Sequence, residues 1–154
     1  MTMQQAPNRL VWIRARWAAR GLCVLLPVLG GCGPDRPEMV QVSGRVTFGG
    51  GAWPKPGTLY FTPAEPAGDL PRRPGVADFD TDGYFTVKSF EDGEGLIPGR
   101  YLVGVECWEV PPSMGGPPPV SYLDSKYQNP QTSGLELDIE RGQDAERLEL
   151  DIPK

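Results

Sequence analysis

Short runs of alternating apolar and polar residues dominate the chain from residue 40 onward. In the first run, apolar or small residues occupy every second position: Val40, Val42, Gly44, Val46 and Phe48. Successive side chains of a strand point to opposite faces, so this pattern predicts a half-buried strand. Similar runs predict six more strands at 58–62, 75–80, 84–88, 100–108, 135–140 and 147–152.

The strands predicted by this pattern belong to an all-β domain. Apart from a helical turn near 122–127, we find no sustained apolar period of 3.6 residues after residue 40. Several short strands between turn signals indicate a sandwich or barrel. We expect its core to contain these residues: Val42, Val46, Phe61, Phe85, Val103, Val105, Leu137 and Leu150.

Composition first argues against a folded domain. The 154 residues include 18 Pro and 20 Gly, about a quarter of the chain, which approaches low-complexity composition. These residues fall mainly between the predicted strands, where Pro and Gly form turns and protect sheet edges. Their positions therefore support the β-sandwich.

The first 32 residues carry an export signal. Four Arg and no acidic residue precede an apolar run at 21–29. The run is too short to span a bilayer, and Pro27 interrupts it. It ends in a sequence that resembles the bacterial lipobox: Leu29, Gly30, Gly31 and Cys32. We predict a cleaved signal peptide at 1–31.

Cys32 is the predicted lipidation site. Its thiolate can accept a diacylglycerol, and cleavage then frees its amino group for a further acyl chain such as palmitate. Two or more acyl chains hold a protein on a membrane. Residues 32–38 would form the tether and 39–154 the domain. The alternatives are a plain secretory signal cut near Gly30 and a retained membrane anchor. If Cys32 is lipidated, Gly33 as the next residue favours sorting to the outer membrane.

Charge and residue content exclude several function classes. The chain contains no His, which removes Ser-His-Asp and Cys-His catalysis and His-containing zinc sites. After residue 31 there remain 11 basic and 20 acidic side chains, a formal charge of −9. Such a domain has no electrostatic basis for binding nucleic acid. We expect neither an enzyme nor a cofactor.

Two acidic segments could bind a metal ion. Asp78, Asp80 and Asp82 with Gly83 resemble half of a calcium loop, which Glu91 or Asp92 could complete. We favour a hairpin turn with Asp82 and Gly83 at positive φ, and therefore predict no metal site. The last two predicted strands, read as a hairpin, would present an acidic outer face: Glu136, Asp138, Glu140, Glu149 and Asp151. A divalent-cation patch is the alternative, but like charges on a solvated sheet face are the commoner explanation of that pattern.

Three other features could contact partners. Cys107 shares a face with apolar residues, which predicts a buried thiol rather than an intermolecular disulfide. The loop at 111–119 is rich in Pro and could present a polyproline II surface to a protein, although a long loop that is merely tolerated is the commoner explanation. Four aromatic residues could stack on a glycan or contact a partner, although Trp and Tyr beside strand ends are more often packing residues: Trp53, Trp108, Tyr122 and Tyr127.

The order of the motifs resembles a known domain family. Residues 42–47 (VSGRVT), 57–63, 81–85 (TDGYF) and 97–103 (IPGRYLV) occur in sequence. Together they are similar to the carboxypeptidase regulatory-like domain, a seven-stranded Greek-key β-sandwich of transthyretin (prealbumin) type. With the lipobox and residues 126–135, the chain resembles small planctomycete lipoproteins that carry this one domain.

The resemblance implies a non-catalytic accessory domain. The related 5-hydroxyisourate hydrolases use histidines, which this chain lacks. We therefore predict a lipid-anchored cell-envelope module, on the periplasmic or outer-membrane face, with a structural or protein-interaction role. The alternative is an envelope glycan-binding module. The partner, a protein or a glycan, is not identified by the sequence.

Overall fold

The computed structural model describes residues 37–90 and 95–154. Nine strands and two short helices follow one another along this part of the chain. They are β1 (Gln41–Phe48), β2 (Gly57–Pro66), β3 (Gly75–Phe79), β4 (Tyr84–Thr86), β5 (Gly99–Glu106), β6 (Trp108–Val110), β7 (Val120–Ser121), α1 (Ser125–Gln128), α2 (Pro130–Ser133), β8 (Glu136–Ile139) and β9 (Ala145–Ile152). The domain is mostly β, as predicted.

Seven strands form the main sheet in the order β8-β5-β2-β3-β4-β1-β9. Neighbours are antiparallel except β1 and β9, which run parallel from the Gln41↔Ala145 pair to the Phe48↔Ile152 pair. β6 and β7 form a separate two-stranded ribbon. The arrangement is sandwich-like: the main sheet consists of two parts, and one core lies between them.

The two parts of the main sheet meet at β3 and β4. These strands share one pair, Phe79↔Phe85, and the chain just beyond β4 adds an isolated bridge from Lys88 to Val76. Such sparse pairing allows the sheet to fold over at this point. As a result, the rings of Phe61 in β2 and Phe85 in β4 lie 6.5 Å apart, centroid to centroid, inside the core.

The predicted core is confirmed in the structure. Seven of the eight residues expected there are buried, and Leu150 is partly buried and packs against them. Each fully buried side chain of this size stabilises the fold by about 1.5–3 kcal/mol. The alternation along β1, with Val42 and Val46 inward and Ser43 outward, is the local cause.

The predicted pairing of the last two strands is wrong. β8 hydrogen-bonds to β5 and β9 to β1, so the two strands lie at opposite ends of the sheet order. Their acidic side chains therefore do not form one hairpin face. Alternation determines which side chains face outward, but it does not choose the neighbouring strand.

Two further details differ from the sequence prediction. The predicted strand at 100–108 is divided at Cys107 into β5 and β6. The carbonyl of Cys107 instead accepts hydrogen bonds from the backbone N–H of Tyr122 and the hydroxyl of Ser121. Helix α2 was also not predicted, because it spans only one turn.

The two helices close the core beside β5. Asp124 caps α1 by accepting from the Lys126 N–H, and Asn129 caps α2 by accepting from the Gln131 N–H. Pro130 at the start of α2 lies so close to β5 that a Cβ on Gly104 would come within 2.9 Å of its ring. Glycine at 104 is therefore needed for this packing.

Candidate functional site

The predicted lipidation motif lies outside the described residues. Leu29, Gly30, Gly31 and Cys32 have no described placement, so lipidation remains a prediction. Among the described residues, no helix is long and apolar enough to cross a membrane. At the end of the predicted tether, the carboxylate of Glu38 accepts a hydrogen bond from the Gly142 N–H, so this residue is already part of the domain.

Trp53 belongs to the core rather than to a contact surface. It is 3% exposed, and its ring lies 5.0 Å from Phe48 and 4.7 Å from Phe79, centroid to centroid. Its indole N–H donates to the carbonyl of Val46 at 2.7 Å. Because both faces and the polar edge are occupied within the protein, Trp53 has no free ring face for a sugar.

The other three aromatic candidates differ in how far they are buried. Tyr127 on α1 is buried, and Tyr122 is partly buried and packs against the core. Trp108 on β6 is partly exposed, and its indole N–H donates to Glu106 at 3.1 Å. Trp53, Tyr122 and Tyr127 therefore pack in or against the core, and Trp108 borders the surface described next.

We call the side of the main sheet turned away from the core the outer face. On it, one carboxylate oxygen of Glu106 accepts from the indole of Trp108 and, at 3.2 Å, from the hydroxyl of Tyr60. Burial and the Glu106 charge raise the pKa of Tyr60, so the phenol stays protonated as a donor. Beside them, the hydroxyl of Thr58 donates to Asp78 at 3.0 Å.

Two adjoining cavities open on the outer face where β3 and β4 separate. They measure about 420 Å³ and 290 Å³ and share Asp78 and Thr86 in their lining. Tyr84 and Arg147 line the larger cavity, and Lys88 lines the smaller one. We call these two cavities together the outer groove.

Tyr60 and Tyr84 are surface aromatics that sequence reasoning missed. They are 36% and 54% exposed, because each alternates along its strand with a buried phenylalanine, Phe61 or Phe85. That alternation was visible in the sequence and could have indicated them. Their positions on the sheet, on β2 and β4, depend on strand pairing.

The Asp-rich segment forms a hairpin turn between β3 and β4. The N–H of Gly83 donates to the Asp80 carbonyl at 2.9 Å, and the Asp80 carboxylate accepts from the Tyr84 N–H at 3.0 Å. Gly83 has φ 87°, but Asp82 does not have positive φ, which corrects that detail of the prediction. Glu91 and Asp92 lie outside the described residues.

No group of three His, Cys, Asp or Glu side chains is placed to hold a metal ion within residues 37–90 and 95–154. One acidic residue of β8 and one of β9 illustrate the local partners that these strands have. Glu136 lies 3.9 Å from Arg100, and Asp151 accepts from the Thr47 hydroxyl at 2.6 Å and the Gly50 N–H at 2.7 Å. These hydrogen bonds lower the pKa of Asp151.

Cys107 is fully buried, as predicted for a core thiol. Its sulfhydryl donates to the carbonyl of Lys55 at 3.3 Å, and burial raises the pKa of the thiol. Low thiolate content and lack of access both disfavour reaction with a second chain.

The Pro-rich segment forms an exposed loop that joins the two strands of the β6–β7 ribbon. Every residue of 111–119 is exposed, and Met114 is completely so. A turn at its tip is closed by the Gly116 N–H, which donates to the Ser113 carbonyl. The loop thus presents an apolar side chain to solvent on a restricted backbone.

Comparison of the chain with protein-family models, with curated proteins and with solved structures finds no match.

Proposed function

We propose that the protein is a lipid-anchored, non-enzymatic module of the cell envelope that binds a protein partner through loop 111–119. The exposure of Met114 at the tip of this loop is the observation that carries the proposal. A large apolar side chain that packs on nothing in its own domain is available to a partner. The surrounding prolines restrict the free loop, so less entropy is lost on binding.

We further propose that the strand arrangement is the Greek key of the transthyretin type, as the carboxypeptidase regulatory-like resemblance implies. The support is the seven-stranded main sheet, its single parallel pair between β1 and β9, and its division at β3 and β4. Domains of the family that the chain resembles are non-catalytic accessory domains. This chain also lacks the histidines that the related hydrolases use.

The lipid anchor can be tested by metabolic labelling with an alkyne-bearing palmitate. We expect the label on the full chain, its loss in Cys32→Ser, and its retention in Cys107→Ser, because Cys107 is buried. Membrane fractionation of the same cells would locate the labelled protein. Label that persists in Cys32→Ser would refute acylation at that residue.

The protein partner can be tested by photo-cross-linking in the native envelope. A benzophenone amino acid would replace Met114 in one variant and Asp69, in a different exposed loop, in the control. We expect a reproducible cross-linked protein from position 114 and not from position 69. No product at position 114, or the same products at both positions, would contradict binding through the loop.

A further inference from the structure

We propose that the protein forms a two-fold symmetric dimer in which the free edge of β9 pairs antiparallel with β9 of a second copy. Neither the lipid anchor nor loop 111–119 belongs to this edge, so the inference goes beyond the proposed function. An unpaired strand edge presents backbone N–H and C=O groups to which a further strand can bond. Two-fold symmetry places the same strand on both sides of the interface.

β9 forms one edge of the main sheet. The strand order ends at β9, and within the described part of the chain its strand neighbour is β1 alone. The carbonyl of Leu150 is directed toward β1, where it accepts a hydrogen bond from the Thr47 hydroxyl at 3.3 Å. Successive residues of a strand direct their backbone groups to alternate sides. The backbone groups that point away from the sheet therefore belong to Arg147, Glu149 and Asp151.

The β9 edge is long and regular. The strand has eight residues, and it keeps one register with β1 over its whole length. It contains neither Pro nor Gly, and Pro and bulges are devices that keep a further strand from pairing with a sheet edge. At the other end of the sheet order, β8 has only four residues. β9 is therefore the edge on which a second strand can form a full set of backbone hydrogen bonds.

The charges on β9 are complementary to themselves. Arg147 and Glu149 are exposed on the same side of the strand, and the Nε of Arg147 lies 3.5 Å from the Glu149 carboxylate. If the two-fold axis passes at Leu148, each Arg147 lies opposite Glu149 of the second copy. Every charge of this group of four then has an opposite charge both along its own strand and across the interface. Opposite charges in directly facing positions stabilise a strand pair.

The neighbouring registers lack this complementarity. An axis at Glu149 would place this carboxylate opposite its own copy, and an axis at Arg147 would do the same for the guanidinium. An axis at Leu150 would place Glu149 opposite Asp151. Like charges in directly facing positions destabilise a strand pair. The order of charges along β9 therefore selects the register with the axis at Leu148.

The side of β9 that faces the core also suits a second strand. Leu148 and Leu150 are partly buried and pack against the core, so an added strand would cover the part that is still exposed. Glu146 would lie opposite Leu150 of the second copy, and its carboxylate already accepts a hydrogen bond from the side chain of Gln143. Pairing of one strand edge buries less than the roughly 1,200 Å² of a standard interface. We therefore expect a weak dimer, with a dissociation constant of about 10–100 μM.

The register can be tested by cysteine cross-linking of the full chain in membranes. In the proposed dimer the two copies of Leu148 face each other as a non-hydrogen-bonded pair, with Cα atoms about 4.5 Å apart, which a disulfide can span. Oxidation with copper–phenanthroline should therefore join Leu148→Cys into a dimer. The matched control is Leu150→Cys on the same side of the strand, because its two copies would lie more than about 10 Å apart. The wild type gives the background from the native cysteines.

The charge pattern can be tested by reversal at the two exposed positions. Arg147→Glu and Glu149→Arg each turn two attractive pairs into repulsive ones, so each should weaken dimerisation about tenfold or more. The double variant exchanges the signs but keeps every facing pair opposite, and it should dimerise as the wild type does. Sedimentation equilibrium of the full chain in a density-matched polyoxyethylene detergent would measure these affinities, and far-UV circular dichroism would confirm that each variant is folded.

Several results would overturn the proposal. They are a folded Leu148→Cys that gives no dimer, equal products from Leu150→Cys, and a disulfide from Leu148→Cys to a different protein. Dimerisation that is unchanged in Arg147→Glu, or a double variant as weak as the single ones, would also contradict it. None of these results affects the tests at Cys32 or Met114.

Discussion

The buried phenol of Tyr101 should make the domain unusually sensitive to alkaline pH. Tyr101 on β5 is 1% exposed, and its hydroxyl donates to the carbonyl of Ile97 at 2.7 Å. Burial raises its pKa from 10.0 to about 12. Only the protonated phenol can donate this hydrogen bond. Ionisation therefore removes the bond and leaves a negative charge inside the core.

The sign and size of the effect follow from linkage. The folded-state pKa lies above the unfolded value, so the contribution of Tyr101 is complete below pH 10 and is lost as pH rises toward about 12. Two pKa units correspond to roughly 2.7 kcal/mol, of which about half is lost by pH 11. At neutral pH, Tyr101→Phe should cost about 1–2 kcal/mol, because the Ile97 carbonyl loses its donor.

The assay is urea unfolding of the wild type and Tyr101→Phe from neutral pH to about pH 11, followed by far-UV circular dichroism. Both proteins keep Cys107 and the other tyrosines, so those titrations largely cancel in the difference. We expect the stability advantage of the wild type to shrink above pH 10 and to vanish near pH 11. Parallel curves across this range would show that Tyr101 does not titrate from a buried state.

Three further predictions concern residues with distinct local roles. Trp53→Ala should lower the free energy of unfolding by about 3–5 kcal/mol, whereas Trp108→Ala at the surface should cost about 1 kcal/mol or less, as measured in urea. Gly83→Ala should destabilise the domain far more than Gly142→Ala, as the melting temperatures of the two variants would show. Both glycines have positive φ, but a Cβ at 83 would lie 1.8 Å from a backbone oxygen, whereas nothing lies within 4 Å of a Cβ at 142. Asp151 has a lowered pKa, so its contribution to the free energy of unfolding is present above its unfolded pKa and is lost as pH falls through the folded value. Plots of the free energy of unfolding against pH for the wild type and Asp151→Asn should therefore converge in acid.

The strands and their buried faces could be predicted because they depend on local order. Side chains alternate along any extended segment, so Val42 and Val46 share a face whatever the partner strand is. The same rule places Tyr60 and Tyr84 outward. Turn positions are local too, since Gly83 is the residue that tolerates the positive φ of the β3–β4 turn.

The predictions of a lipid anchor and of a family resemblance also rest on the sequence alone, because they depend on short motifs such as that at Cys32 rather than on the fold. Trp53 shows the opposite case. It lies between two strands, where no alternation defines a face, and only the packing of Phe48 and Phe79 around it made it a core residue.

Strand partners were decided by tertiary structure. β8 and β9 are neighbours in sequence, but the core places them on β5 and β1, at opposite ends of the sheet order. The outer face has the same origin: β2–β5 pairing brings Tyr60 to Glu106, although 46 positions separate them. Strand pairing depends on contacts between segments that are distant in the sequence and share one core. A periodic pattern contains no information about which of these segments become neighbours in the sheet.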